Sequence, residues 1–244
     1  MSRMTMSISR RGFIVHAGAA LGAGVLATAG RAGAEPAQPV ALPEVGQAFT
    51  MTINGFGVTL VVNLPPPLPT LNFIGSRHMQ VVEAGADQVR LRTLNFTVEA
   101  AHPLFGKITI RMDEEETGPN STLRRVAADR LQETWNQGFR IIFEKCGDCP
   151  GPYVLCTREP AEWTAELAEF PPPPQGMNPD GSPTGGALYQ LTRPIRLGLP
   201  GGATSDSTRS GCGACPLDTP LPDDDATFAI LEGLHVVHGR LPNG

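Results

Sequence analysis

Val89-Arg90-Leu91-Arg92-Thr93-Leu94-Asn95-Phe96-Thr97-Val98-Glu99 is the stretch on which the fold turns. In an extended chain successive side chains point to opposite faces. Val89, Leu91, Thr93, Asn95 and Thr97 then face one way, and Arg90, Arg92, Leu94, Phe96 and Val98 face the other. The apolar residues begin on the first face and end on the second. We read this change as a strand that crosses from the edge of a sheet into its core.

The same texture continues on both sides. Short segments rich in Val, Ile, Thr and Phe alternate with turn residues, and strands are expected at 49–54, 58–64, 78–83, 89–99, 107–112, 138–145, 153–157, 164–170, 188–199 and 227–238. Residues 121–132 fit a helix, with Ser121 as N-cap and Leu123, Val126, Ala127 and Leu131 on one face, and fit a strand equally well. The chain holds 28 Gly and 24 Pro, so turns should be many and helices few. Three loops interrupt the strands, at 64–67, 171–186 and 200–225, because proline donates no ladder hydrogen bond. The expected fold class is all-β, a β-sandwich or irregular barrel with long Pro/Gly-rich loops.

The amino terminus carries an address. Ser9-Arg10-Arg11-Gly12-Phe13-Ile14 precedes a Gly/Ala-rich apolar stretch, and Ala32-Gly33-Ala34 follows as a small-residue cleavage site. A charged start, an apolar middle and such a site make an export signal, and the paired arginines select the twin-arginine route. Residues 1–34 are thus expected to engage the twin-arginine export machinery through Arg10 and Arg11. Residues 35–244 are expected to form a single all-β domain in the periplasm or outside the cell, with no stable membrane span after cleavage. Nineteen Lys and Arg stand against 24 Asp and Glu, a net charge of −5; loss of Arg3, Arg10, Arg11 and Arg31 leaves 15 against 24, or −9. An acidic chain repels phosphate backbones, so nucleic acid is not an expected partner.

One constellation of side chains carries chemistry. Cys146-Gly147-Asp148-Cys149-Pro150 and Cys212-Gly213-Ala214-Cys215-Pro216 are two C-x-x-C-P units. Two such turns can aim four thiolates at one zinc ion, so Cys146, Cys149, Cys212 and Cys215 are candidate ligands of a structural zinc. An oxidising compartment favours disulfides instead, and a bridge between the units would staple the hairpin near Cys146 to the long loop near Cys212. A redox-active C-x-x-C is a third reading, opposed by the prolines that follow each unit, because they block the helix that ordinarily lowers a reactive thiol's pKa. Cys156 reads as a buried hydrophobe near a strand end or an alternative disulfide partner.

His235 and His238, three apart on a strand, point to opposite faces, so one packed and one exposed histidine is the expectation. The acidic runs 113–116 and 223–225 lack the spacing of a calcium loop and read as solvated. No G-x-S-x-G, H-E-x-x-H, P-loop or G-x-G-x-x-G motif is present.

The series Phe139-Arg140-Ile141-Ile142-Phe143-Glu144, Arg158-Glu159-Pro160, Pro172-Pro173-Pro174, Tyr189, Pro194-Ile195 and Gly233-Leu234-His235 resembles uncharacterised exported bacterial β-proteins. In these a Phe-rich strand, a short step ending in Pro, a Pro-Pro loop, an aromatic strand and a terminal His strand follow in that order. The resemblance covers roughly the half after Lys107; it implies the β fold and supplies no activity. The function expected from the sequence is that of a non-enzymatic structural or binding β-domain with a cysteine-stabilised loop pair. The alternatives are an extracytoplasmic metal-dependent enzyme and a thiol oxidoreductase.

Overall fold

The computed structural model describes residues 39–112, 121–202 and 215–241. The export signal, the acidic run 113–116 and Cys212 lie outside the described residues.

Three long strands form the spine: β1 (Ala48–Val61), β2 (Thr70–Ala84) and β3 (Gln88–His102). They are followed by β4 (Gly106–Met112), β5 (Ser121–Ala127), β6 (Arg130–Gln137), β7 (Phe139–Cys146), β8 (Cys149–Thr157) and β9 (Ala161–Leu167). A small hairpin, β10 (Gln175–Met177) and β11 (Pro183–Gly185), precedes β12 (Ala187–Leu191), β13 (Ile195–Gly198), β14 (Ala229–Glu232) and β15 (Val236–Arg240). The all-β expectation holds, and all the strand pairings are antiparallel.

The pairings close into two circuits that share the spine. The first barrel runs β1-β2-β3-β5-β6-β9-β12-β15 and returns to β1. The second runs β1-β2-β3-β4-β7-β8-β13-β14 and also returns to β1. Each spine strand serves one barrel with one half and the other barrel with the other half. On β1, residues 51–54 pair with β15 while 59–61 pair with β14. On β3, residues 88–91 pair with β5 while 97–102 pair with β4.

The remaining strands come in pairs that break where the barrels part. Gly138 separates β6 from β7, residues 158–160 separate β8 from β9, 192–194 separate β12 from β13, and 233–235 separate β14 from β15. Pro160 and Pro194 lack the N–H that would continue a ladder, and Gly233 adopts the left-handed conformation (φ 67°) that L side chains avoid. The short proline steps of the sequence are therefore the joints between barrels.

The face change within 89–99 has a different cause from the one expected. His78 pairs with Asn95 and Met79 with Thr93, which leaves Leu94 as the extra residue of a β-bulge. Val89, Leu91 and Thr93 are buried before it, and Phe96, Val98 and Ala100 after it. Both ends of the strand are paired on both sides, and the bulge between them re-aims its apolar residues so that they stay buried in both barrels. Residues 121–132 form the β5–β6 hairpin, and 171–186 contains the β10–β11 hairpin, which packs on β1 through Thr52 Oγ1 to Gln175 Oε1 at 2.7 Å.

The second barrel is filled by apolar side chains such as Leu60, Phe73, Ile108, Ile141, Phe143 and Leu231. Its outer end is held by a disulfide, Cys146 Sγ to Cys215 Sγ at 2.01 Å, which joins the β7–β8 turn to the loop before β14. Of the readings open for the two C-x-x-C units, this is the inter-loop disulfide, with Cys146 and Cys215 as its partners. The first barrel is different, and its interior holds buried charge.

Candidate functional site

Register and alternation place Arg77 of β2, Thr93 of β3, Ser121 of β5, Glu133 and Trp135 of β6, Trp163 of β9, Tyr189 of β12 and His238 of β15 on the inner face of the first barrel. All are buried. Burying a charge is costly unless it is paired and hydrogen-bonded, and here each guanidinium nitrogen of Arg77 has a partner. Arg77 Nη1 donates to Glu133 Oε1 at 2.7 Å, Nε to Thr93 Oγ1 at 3.1 Å, and Nη2 to Ser121 Oγ at 3.2 Å. The guanidinium also lies 4.5 Å from the centre of the Trp135 ring, a cation–π contact. Tyr189 Oη donates to the second carboxylate oxygen, Glu133 Oε2, at 2.6 Å.

Aromatic rings enclose this network. Trp135 and Trp163, the chain's two tryptophans, stack at 4.2 Å, and Trp163 Nε1 donates to Leu234 O at 2.7 Å, tying the β14–β15 joint to the barrel interior. The His238 ring sits 4.3 Å from Tyr189 and 5.0 Å from Trp135, and neither of its nitrogens has a hydrogen-bond partner among the described residues. Burial, and secondarily the charge on Arg77, hold His238 well below the usual histidine pKa. Burial, then the Glu133 charge and its hydrogen bond, push the Tyr189 phenol well above its ordinary value. At neutral pH the imidazole is neutral, the phenol keeps its proton, and both Glu133 oxygens are engaged.

The wall beside the network is open. β12 meets β9 only at Gln190–Thr164 and Leu191–Trp163, although β9 continues to Leu167 and β12 begins at Ala187. The two strands splay, and a cleft of about 630 Å³ fills the wedge, lined among others by Ala165, Leu167, Ala187 and Leu188. Ala165 is the direct cross-strand neighbour of Glu133, and Ala187 that of His238. Side chains so paired have Cβ atoms about 5 Å apart, so the floor of the wedge is one small side chain from the polar network.

A second cleft, about 330 Å³, lies at the barrel joint among Arg158, Arg193, Arg196 and Asp224. Its charges satisfy each other: Arg158 and Arg196 both pair with Asp224, and Arg193 with Glu159. Hydrogen bonds from the Thr227 hydroxyl and the Ala226 amide, with Arg158 beside it, lower the Asp224 pKa to about 2.

The residues singled out from sequence fall elsewhere. Cys146 and Cys215 are bonded to each other and Cys149 is buried opposite Cys146, all at the far end of the second barrel. A disulfide sulfur is not a thiolate, so a four-thiolate centre belongs to the reduced protein only. Cys156 is half-buried near the end of β8. His235 is exposed in the joint before β15, accepting from the Leu191 amide through Nδ1 at 3.1 Å, while His238 is buried on β15: one exposed and one packed histidine, although only His238 lies on the strand. Among the described residues, no group of three or more His, Cys, Asp or Glu could hold a metal. Arg77, Glu133 and His238 were not legible as one site. The available signal was Leu131-x-Glu133-x-Trp135, an acid on the apolar face of an alternating strand.

No protein-family model matches the chain, and no curated protein matches it. Among solved structures it is similar to DynF from the dynemicin biosynthesis pathway of Micromonospora chersina, at 17% identity and a TM-score of 0.50, over 86% of this chain and 92% of DynF. At that identity the likeness extends to the fold alone.

Proposed function

We propose that the chain is an exported, non-enzymatic binding protein whose first barrel receives a ligand through the wedge between β9 and β12. The observation that carries this reading is the placement of Ala165 and Ala187: these two of the small residues that line the opening are the cross-strand partners of Glu133 and His238. Binding sites are concave, largely apolar, and supplied with a few placed polar groups. The state of those groups favours binding over turnover. A general acid or base works best with a pKa near the operating pH, whereas Tyr189 is shifted up and His238 down, both away from neutrality.

Export is supported by the features of residues 1–34, whose Arg10 and Arg11 we assign to the twin-arginine machinery, and by the Cys146–Cys215 disulfide. No helix among the described residues is long and apolar enough to cross a membrane. The cysteine loops are read as a staple. A thiol oxidoreductase cycles a bond inside one C-x-x-C unit, and here Cys146 is bonded across to the other unit. A structural zinc on Cys146, Cys149, Cys212 and Cys215 is the reading for the reduced protein. Metal content and thiol count on protein exported in its own host separate the two, with metal-free protein expected.

Native mass spectrometry of the same preparation tests the binding reading. The protein is expected to retain a bound molecule, and Ala165→Trp, which fills the floor of the wedge, is expected to release it. Bare protein whose near-ultraviolet circular dichroism ignores every added ligand would overturn the proposal.

A further inference from the structure

We propose that the occupant of the wedge is an extended segment of polypeptide, added as a strand between β9 and β12. This rests on the binding reading above and names the class of ligand. In an antiparallel pair, alternate residues turn their N–H and C=O toward the same neighbour. The Glu162 carbonyl accepts from the Thr192 amide at 2.9 Å, so on β9 the groups facing β12 are those of Glu162, Thr164 and, by alternation, Glu166. Gln190 lies opposite Thr164, and two residues earlier on β12 Leu188 turns the same way. Continued pairing would set Leu188 opposite Glu166, but the ladder stops at Gln190.

The backbone groups of Glu166 and Leu188 thus face each other across the cleft without a ladder between them. An extended peptide fits this arrangement because it presents N–H and C=O groups to both sides in turn, at the strand spacing of about 4.8 Å. Natural sheets protect exposed edges with proline, charged side chains or bulges; residues 165–167 and 187–189 carry no proline or bulge, and a single charge, Glu166, which is paired with Arg130. Each of the two edges is instead flanked by the other across the cleft.

The side chains state a preference. Inward positions of the added strand would meet Ala165, Leu167 and Ala187, which are small or apolar, and outward positions would lie beside Gln132, Thr164 and Gln190 at the rim. The preferred segment alternates apolar and polar residues.

The test uses the full mature protein and a capped tetrapeptide, acetyl-Thr-Val-Thr-Val-amide. Amide hydrogen exchange is read by NMR at Glu166 and Leu188. Both amides are expected to slow when the peptide is added, and a version N-methylated at alternate amides is expected to bind about tenfold more weakly. Leu188→Pro removes the N–H facing the wedge while leaving the β15 side of β12 intact, and should weaken binding by a similar factor. If that variant fails to fold, the N-methylated peptide against the native protein decides alone. Unchanged exchange at both amides, or equal binding of the N-methylated peptide, would overturn the strand proposal. A retained non-peptide molecule that Ala165→Trp expels would do so while leaving the binding reading standing. Bare protein that responds neither to the peptide nor to any other added ligand removes both.

Discussion

Arg77, Glu133, Tyr189 and His238 set the chemistry of the first barrel, and each makes a prediction. A buried ion pair broken by removing one partner leaves an uncompensated charge, which costs about 3–5 kcal/mol. Glu133→Leu is therefore expected to destabilise by about that amount, read as a lowered urea midpoint. Arg77→Met combined with Glu133→Leu should be more stable than Glu133→Leu alone, because no lone charge remains. His238 predicts an acid limb. Its folded pKa lies below the value of about 6.5 found in unfolded chains, so the unfolded state takes up the proton first and stability falls as pH drops below about 6.5. Carboxylates begin to titrate only nearer 4, which leaves a window between about 6.5 and 5 governed by the histidines that burial shifts down, His238 foremost and the half-buried His102 second. In His238→Phe, urea unfolding across that window should lose most of its pH dependence. These residues were hidden in the sequence for a physical reason: each comes from a different strand, and a lone Arg or Glu within an alternating segment reads as solvent-facing until its partner strand is known.

At the scale of elements, alternation was legible wherever a strand keeps one face inward, as in Phe139, Ile141 and Phe143 of β7. It misled where backbone geometry shifts the register. The bulge at Leu94 swaps faces without leaving the core, and a turn at 128–129 makes 121–132 fit both helical and strand periods. The pairings of β5 with β3 and of β6 with β9 settle the second case, and those partners lie some thirty residues away. Gly75 marks the crossing of the barrels on β2. A Cβ there would lie 2.0 Å from the Thr97 carbonyl oxygen, a contact with backbone that cannot swing aside. Gly75→Ala is accordingly expected to cost about 2 kcal/mol, the ordinary penalty of overpacking, measurable as a shifted thermal midpoint.

For the whole molecule, the disulfide and the spine do different work. The Cys146–Cys215 bond closes a loop of 69 residues, for which the chain-entropy model gives about 4 kcal/mol of stabilisation. Replacing both cysteines by serine should lower the urea midpoint by a large part of that amount. It should leave the near-ultraviolet signal of the Trp135–Trp163 stack unchanged in the native protein, because the bond lies in the second barrel and the stack in the first. A lost tryptophan signal under native conditions would show that the two barrels depend on each other for more than their shared strands. The sequence by itself determined that the chain is all-β and where proline and glycine interrupt it, since turn chemistry and side-chain alternation are local. Only the tertiary structure decided that the strands close into two barrels on one spine, that a charged network fills the first, and that its wall opens beside that network. Those outcomes depend on which distant strands pair and where a ladder stops, and backbone hydrogen bonds between distant strands leave no mark on the order of residues within either one.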